Sequence, residues 1–178
     1  MSDESNILSR FMPDKPLNIL WVCSGNICRS AYADFAFKKM VEDSPILSKI
    51  ELKTHSGGLQ FQNSAIDPRT TAVLVKEGFD EVEVNKHIPR YKKDYPEMLE
   101  EADLIVGMAH SHKLLTPKKY RKEQNKFVQI SNWAIGERKD IPDPYFVNTD
   151  EEYAELLAQV KEYLEIILKK LEAFYSQK

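Results

Sequence analysis

The sequence predicts an α/β fold, in which a four-stranded parallel sheet forms the middle layer of a three-layer sandwich flanked by about five helices. Two observations predict it. Short apolar runs alternate with segments of helical periodicity, and strands joined through helices pair in parallel by right-handed crossovers. The 178 residues are 42% hydrophobic, which supplies one sizeable core. We therefore expect a single domain over residues 16–178, after a flexible polar leader over residues 1–15.

The first strand, loop and helix form the clearest unit of the chain. Residues 17–22 are a short β-branched and aromatic run, typical of a buried strand. Residues 23–30 follow at once and are rich in turn-forming residues. Residues 31–41 then carry apolar side chains at the spacing of one helical face. Open α/β sheets bind ligands beyond the carboxyl ends of their strands, which is where this loop lies.

A second strand and a second helix follow. Alternating apolar and polar residues predict the strand over residues 50–54, ending at a turn in residues 56–58. Asp67 followed by Pro68 predicts a helix N-terminus, and Gly78 predicts the end of that helix.

The remaining elements continue the alternation. They are a short acidic helix at residues 96–102 and strands at residues 104–106 and 127–130. Thr149 and Glu152 form a candidate capping box. Residues 153–171 after it keep helical spacing almost to the end of the chain.

Composition and charge exclude several classes of protein. The chain carries 25 Lys and Arg against 28 Asp and Glu, a net charge of −3, so no basic excess predicts binding to nucleic acid or to a membrane surface. Two cysteines are too few for a disulfide scaffold or a four-cysteine zinc site. No run is long and apolar enough to span a membrane, and the N-terminus lacks a signal-peptide pattern. We expect a cytoplasmic protein.

The loop after the first strand combines the residue types of an anion site with a nucleophile. Gly25 and Asn26 tolerate the backbone angles that turn consecutive N–H groups inward at a helix N-terminus. Arg29 presents a planar fork that matches two phosphate oxygens. The same positive field favours the thiolate of Cys23, which is the nucleophilic form of cysteine, and Ser30 can donate a hydrogen bond to that sulfur.

Such a site also needs an acid to protonate the leaving oxygen. Asp143 is the candidate, because a proline on each side stiffens its loop and two aromatic residues follow. We expect Tyr145 to line the pocket and Phe146 to pack inward.

These motifs together resemble the low-molecular-weight protein tyrosine phosphatase family. The resemblance rests on residues 23–30 after an apolar strand and on Asp143-Pro144-Tyr145 far downstream, and it covers residues 16–175. It implies hydrolysis of phosphotyrosine in proteins and peptides through a phosphocysteine intermediate, with no metal or other cofactor and with phosphate and other oxyanions as inhibitors.

The resemblance also implies a role for each site residue. Cys23 attacks phosphorus, Arg29 holds the equatorial oxygens, and Asp143 protonates the leaving phenolate and then deprotonates the hydrolytic water. The implied substrate-binding residues are Ser24, Gly25, Asn26, Ile27, Cys28, Ser30, Tyr145 and Phe61. Phe61 is included because family members usually place an aromatic residue over the pocket from the stretch that corresponds to residues 59–63.

Other functions fit parts of the pattern. Protein arginine phosphatases share the fold and the loop, and residues 108–113 resemble that branch, but its members carry threonine in place of Ile27 and phenylalanine in place of Tyr145. Thioredoxin-coupled arsenate reduction needs three cysteines, and this chain has two. A non-hydrolytic phosphocysteine carrier or phosphoprotein-binding module has no need of Asp143.

Three further residues have open roles at this stage. Cys28 either packs beneath the loop or forms a disulfide with Cys23 after oxidation, which would make the protein redox-sensitive. His110 and His112 have no third ligand pattern nearby, so we expect surface or helix-start residues rather than metal ligands.

Overall fold

The computed structural model describes residues 7–9, 11–123 and 126–176. Its strands are β1 (Leu17–Cys23), β2 (Leu52–Gly58), β3 (Leu104–Gly107) and β4 (Phe127–Gln129). They form a parallel sheet in the order β2-β1-β3-β4, which confirms the predicted fold class. Because β1 lies between β2 and β3, the strand order changes direction at β1. Ligands of such sheets usually bind at this point, beyond the carboxyl end of the strand.

Helices and short helical turns connect the strands. The α-helices of the described residues are α1 (Arg29–Asp43), α2 (Pro68–Lys76), α3 (Glu81–Asn85), α4 (Glu97–Glu101), α5 (His110–Leu115), α6 (Ile130–Ile135) and α7 (Asp150–Tyr175). Short 3₁₀ turns lie at Leu47–Lys49 and Pro144–Phe146, and a π-helical turn lies at Lys119–Glu123. The sequence predicted about five helices because α3, α5 and α6 are too short to show helical periodicity.

The two faces of the sheet are covered by separate apolar clusters. Successive side chains of a strand point to opposite faces, so Ile19 and Trp21 enter the larger cluster, with α1, α6 and α7. Leu20 and Val22 enter the smaller one, with α4. Both faces of β1 are therefore buried, which fixes the strand and the position of the loop that follows it.

The two predicted helix starts are confirmed by their hydrogen bonds. The carboxylate of Asp67 accepts from the N–H of Arg69 at 2.9 Å and caps α2. The hydroxyl of Thr149 accepts from the N–H of Glu152 at 3.2 Å and caps α7. Gly78 follows α2 with a φ of 94°, a conformation that glycine adopts without strain.

The predicted bounds of β2 are wrong. The strand begins at Leu52 rather than at residue 50, and it continues through the three residues that were expected to form a turn. Ser56, Gly57 and Gly58 pair with the last three residues of β1. This pairing brings the end of β2 beside the start of the loop.

The predicted leader over residues 1–15 falls partly outside the described residues. Within it, Ile7 is buried in the larger cluster, and Leu8 and Phe11 pack against that cluster. Among the described residues, no helix has the length and apolar character needed to cross a membrane.

Candidate active site

A cavity of about 350 Å³ lies beyond the carboxyl end of β1. The residues that line it are Cys23, Ser24, Gly25, Ile27, Cys28, Arg29, Phe61, Gln62, Asn63, Asp143, Tyr145 and Phe146. Asn26 and Ser30 are fully buried and hydrogen-bonded to each other. The structure therefore brings together the residues that the sequence predicted for this site.

The carbonyl oxygens of residues 23–28 all accept hydrogen bonds from outside the loop. The donors are Leu59 N to Cys23, Gln60 N and Phe61 N to Ser24, the Asn63 amide to Gly25, His87 Nε2 to Asn26, Asp67 N and Thr70 Oγ1 to Ile27, and Tyr32 N to Cys28. The C=O and N–H of a trans peptide point in opposite directions. Carbonyls anchored outward therefore leave the N–H groups of the loop directed toward the cavity, as a cradle for an anion.

Asn26 has an unusual backbone conformation in this loop. Its φ of 57° lies in the left-handed region, which asparagine tolerates better than most residues. Its side-chain amide donates to Ser30 Oγ at 2.9 Å and accepts from the N–H of Arg90 at 3.0 Å. Gly25 does not have the positive φ that was expected of it, and a Cβ atom there would lie 2.6 Å from the Asn63 side-chain nitrogen, which would have to move.

The sulfur of Cys23 lies 3.0 Å from Ser30 Oγ. Ser30 Oγ accepts the hydrogen of the Asn26 amide. Its own hydroxyl hydrogen has two acceptors within reach, the Cys23 sulfur at 3.0 Å and the more distant carbonyl of Gly57 at 3.4 Å. This arrangement suits a nucleophilic cysteine.

Arg29 connects the loop to the segment that carries Asp143. Its guanidinium is buried; Nη1 donates to the carbonyl of Ile141 at 2.8 Å and Nη2 pairs with Asp143 Oδ2 at 3.0 Å. Its Nε is buried without a partner among the described residues. A buried donor on a charged group needs an acceptor, and an oxyanion in the cradle supplies one.

Asp143 is held at the cavity wall by both of its oxygens. Oδ2 pairs with Arg29, and Oδ1 accepts from the N–H of Tyr145 at 3.1 Å. Its side chain keeps about a quarter of its surface exposed, at 26%. The carboxyl is therefore fixed in orientation yet accessible to a ligand in the cavity.

Three aromatic side chains surround the cavity mouth. Phe61, Tyr145 and Phe146 are all exposed and all line the cavity, with the rings of Tyr145 and Phe146 in edge contact at 5.3 Å. The prediction that Phe146 packs inward is wrong, because the 3₁₀ turn after Asp143 leaves it 75% exposed. We call these three residues the aromatic rim.

Cys28 lies in the cavity wall but differs from Cys23 in its surroundings. It is 3% exposed, and burial raises the pKa of its thiol to about 12. Its sulfur lies 3.9 Å from Asp67 Oδ2. Cys28 is therefore a neutral thiol, and both cysteines are free.

Arg69 is a residue that the sequence analysis missed. Its guanidinium pairs with the carboxylate of Asp67 and donates to the carbonyls of Tyr145 and Val147, at 3.5 and 3.3 Å. It thus ties the start of α2 to the turn behind Asp143. Its place two residues after a predicted N-cap was the only signal in the sequence.

His112 lies in the first turn of α5, as the helix-start alternative predicted, but it is buried rather than at the surface. It is 1% exposed, Nε2 lies 3.3 Å from Ser24 Oγ, and Nδ1 accepts from the N–H of Ala109 at 3.0 Å. Burial and the nearby Arg29 lower its pKa to about 3. Its neighbour His110 is exposed, and among the described residues no group of three potential ligands forms a metal site.

Comparison with known protein families gives one clear result. The family described as low molecular weight phosphotyrosine protein phosphatase matches residues 18–176. A low molecular weight protein-tyrosine-phosphatase of Acinetobacter johnsonii is 31% identical over 72% of this chain and 80% of its own length. A protein-arginine-phosphatase of Bacillus subtilis is 26% identical over 83% of this chain and 97% of its own length.

Solved structures agree with this result. A low molecular weight protein tyrosine phosphatase from T. tengcongensis has a TM-score of 0.71 and 28% identity, covering 86% of this chain and 99% of that one. A YwlE mutant from Bacillus subtilis has a TM-score of 0.73 at 24% identity, covering 87% and 98%, which establishes a shared fold.

The contact between β2 and the loop generates a prediction about oxyanion binding. A Cβ atom at Gly58 would lie 3.0 Å from the carbonyl carbon of Gly25 and 3.3 Å from the nitrogen of Asn26. These are backbone atoms, so the cradle itself must shift. We expect Gly58→Ala to weaken the binding of vanadate, a tetrahedral oxyanion, by about tenfold or more, measured by equilibrium titration.

The matched control is Gly57→Ala. A Cβ atom there meets mainly the flexible end of the Met98 side chain, which can move aside. We expect a lower melting temperature but nearly unchanged vanadate affinity. Equal losses of affinity in the two variants would show that β2 does not position the cradle.

Proposed function

Because this chain belongs to the low molecular weight phosphotyrosine protein phosphatase family, and is thus a phosphoric monoester hydrolase, we propose that it hydrolyses phosphotyrosine in proteins and peptides. The observation that carries the proposal is the pair of contacts through which Arg29 joins the loop of Cys23 to Asp143. Nucleophile, anion cradle and acid thereby meet at one cavity, as transfer of a phosphoryl group requires.

In the first step, the Cys23 thiolate attacks phosphorus. The S–P bond forms while the P–O bond to the tyrosine breaks, and the leaving phenolate oxygen takes a proton from Asp143. The inward N–H groups and Arg29 hold the equatorial oxygens as their charge is redistributed. In this step the phosphoryl oxygens and Asp143 share the donors of Arg29.

In the second step, water replaces the cysteine. Asp143, now a carboxylate, accepts a proton from the attacking water, the new P–O bond forms, and the S–P bond breaks to regenerate the Cys23 thiolate and release phosphate. Because the same cradle binds substrate and product, inorganic phosphate and vanadate should compete with the substrate.

The aromatic rim supports a phenyl ring as the group attached to phosphate. Phe61, Tyr145 and Phe146 offer edges and faces to a flat ring. Among the described residues that line the cavity, Asp143 is the only carboxylate. A phosphoarginine side chain carries a guanidinium, which a carboxylate partner recognises best, and Asp143 is already paired with Arg29.

Protein arginine phosphatase activity is the second candidate. The Bacillus subtilis protein-arginine-phosphatase, matched over 97% of its length, favours it. Ile27 lines the cavity of this chain and provides an apolar wall, which suits an aromatic ring better than a guanidinium. We therefore rank phosphotyrosine first.

The two free cysteines also bear on location and regulation. A reactive Cys23 thiolate stays reduced in the cytoplasm, so we keep the prediction of a cytoplasmic location. Peroxide oxidises a thiolate to a sulfenic acid. The Cys28 thiol can then attack that sulfur. The S–S bond forms, the S–O bond breaks, and the thiol proton, taken up first by the nearby Asp67 carboxylate, joins the departing hydroxide as water.

Side-by-side hydrolysis of two matched peptides tests the proposed function. The peptides carry phosphotyrosine or phosphoarginine at the same position. We expect kcat/KM to be at least about tenfold higher for phosphotyrosine. Cys23→Ser should leave less than about a thousandth of either rate, because a serine hydroxyl does not ionise there, yet keep vanadate binding. A higher kcat/KM for phosphoarginine would assign the chain to the second candidate.

The role of Asp143 predicts a dependence on the leaving group. We expect Asp143→Asn to lower kcat by about 10²–10⁴ with phenolic or alkyl phosphates. With a strongly acidic leaving group, the first step needs less proton transfer, so the defect should shrink or phosphocysteine should accumulate. Steady-state and burst kinetics across leaving groups of graded pKa measure this. An equal loss for all of them would contradict general acid catalysis.

The role of Cys28 predicts a difference in recovery after oxidation. We expect mild peroxide to inactivate the wild type and a thiol reductant to restore most activity. Cys28→Ser should keep near-normal catalysis before treatment but recover poorly, because the Cys23 sulfenic acid then proceeds to irreversible forms. Activity assays with mass spectrometry of the Cys23–Cys28 peptide provide the measurement. Full recovery in the variant would make Cys28 a packing residue only.

A further inference from the structure

His112 is fully buried beside the candidate active site, and its hydrogen bonds fix its tautomer. The N–H of Ala109 can only donate, so the Nδ1 atom that receives it, 3.0 Å away, carries no hydrogen. A neutral imidazole then carries its hydrogen on Nε2. That atom lies 3.3 Å from Ser24 Oγ. His112 is therefore the donor and Ser24 the acceptor.

The ring stays neutral at physiological pH for two physical reasons. It is 1% exposed, and burial together with the Arg29 charge lowers its pKa to about 3. A proton on Nδ1 would also face the N–H of Ala109, which removes that hydrogen bond. At neutral pH the hydrogen on Nε2 is therefore retained as a donor.

The backbone of His112 is equally fixed. Its carbonyl accepts from both the N–H and the hydroxyl of Thr116, at 3.0 and 2.8 Å. A Cβ atom added at Gly107 would lie 3.1 Å from the Cβ atom of His112, so the two residues are closely packed. The ring is therefore a rigid link from the end of β3 and the start of α5 to the loop.

This link determines where the Ser24 hydroxyl points. Since Ser24 Oγ accepts from His112, its own hydrogen is directed elsewhere, and Ser24 lines the cavity next to Cys23. We propose that His112 is a positioning residue that turns the Ser24 hydroxyl hydrogen into the cavity, where Ser24 adds a side-chain donor to the phosphoryl-binding N–H groups. The inference rests on the proposed function only in that the cavity binds a phosphoryl group.

Equilibrium binding of inorganic phosphate to the full chain, followed by ³¹P NMR, tests the link. We expect Ser24→Ala to weaken binding about tenfold. His112→Phe keeps a ring but loses the donor, so it should weaken binding to a similar extent. The Ser24→Ala, His112→Phe double variant should bind no more weakly than Ser24→Ala alone, because both changes remove one donor.

His110→Phe is the matched control, since it places the same ring on an exposed position of the same helix, and its phosphate affinity should equal that of the wild type. His112→Gln should restore part of the affinity, because an amide offers both an acceptor for Ala109 and a donor for Ser24. The inference would be overturned if Ser24→Ala bound phosphate as tightly as the wild type. It would also be overturned if the two single losses of affinity multiplied to about a hundredfold in the double variant.

A measurement on the unsubstituted protein covers the case in which His112→Phe fails to fold. The ¹⁵N chemical shifts of the His112 ring should show hydrogen on Nε2 and none on Nδ1, with no titration between pH 5 and 8. The opposite tautomer, or titration near pH 6.5, overturns the inference. If the wild type binds no phosphate, the proposed function fails as well. If the wild type and Ser24→Ala bind phosphate and hydrolyse phosphotyrosine equally well, only the role of His112 and Ser24 fails.

Discussion

The outward anchoring of six consecutive carbonyl groups is the constraint on which this site depends. A loop whose N–H groups converge on one anion must direct its carbonyls the other way, and buried carbonyls without donors are costly. Here the donors come from residues after β2, from α1 and α2, and from His87 after α3. The surrounding elements therefore help to hold the loop in the shape of an anion site.

The proposed phosphate clamp, Arg29, and the proposed acid, Asp143, are not independent of each other. Arg29 is the first residue of α1, yet its guanidinium is held by the carbonyl of Ile141 and the carboxylate of Asp143. Arg69 supports the same turn from behind, through Tyr145 and Val147. Binding of an oxyanion therefore changes the charge balance at the acid directly, through one shared guanidinium.

Local patterns were enough to predict much of this architecture. The apolar run of β1, the turn residues after it and the N-cap at Asp67 each act on neighbouring residues, so their signal is present in a short window of sequence. The same holds for Asp143, whose flanking prolines mark a stiff loop. The end of β2 was mispredicted because pairing with β1 overrode the turn preference of its two glycines. Arg69 and the burial of His112 were missed because each depends on partners distant in the chain, such as Ser24 for His112. Phe146 was misjudged because the 3₁₀ turn after Asp143 leaves it exposed.

The strand order has a consequence for how the protein is made. Arg29 and its partner Ile141 are 112 residues apart, and β3, the neighbour of β1 opposite β2, is not synthesised until residue 107. A growing chain on the ribosome therefore exposes the Cys23 loop long before Ile141 and Asp143, the partners of Arg29, have been synthesised. Pairings of such long range also form late in folding, because closing a large loop is entropically expensive. Truncated translation products thus contain the loop sequence without the completed site. The emerging chain cannot form that site until most of its length has been translated.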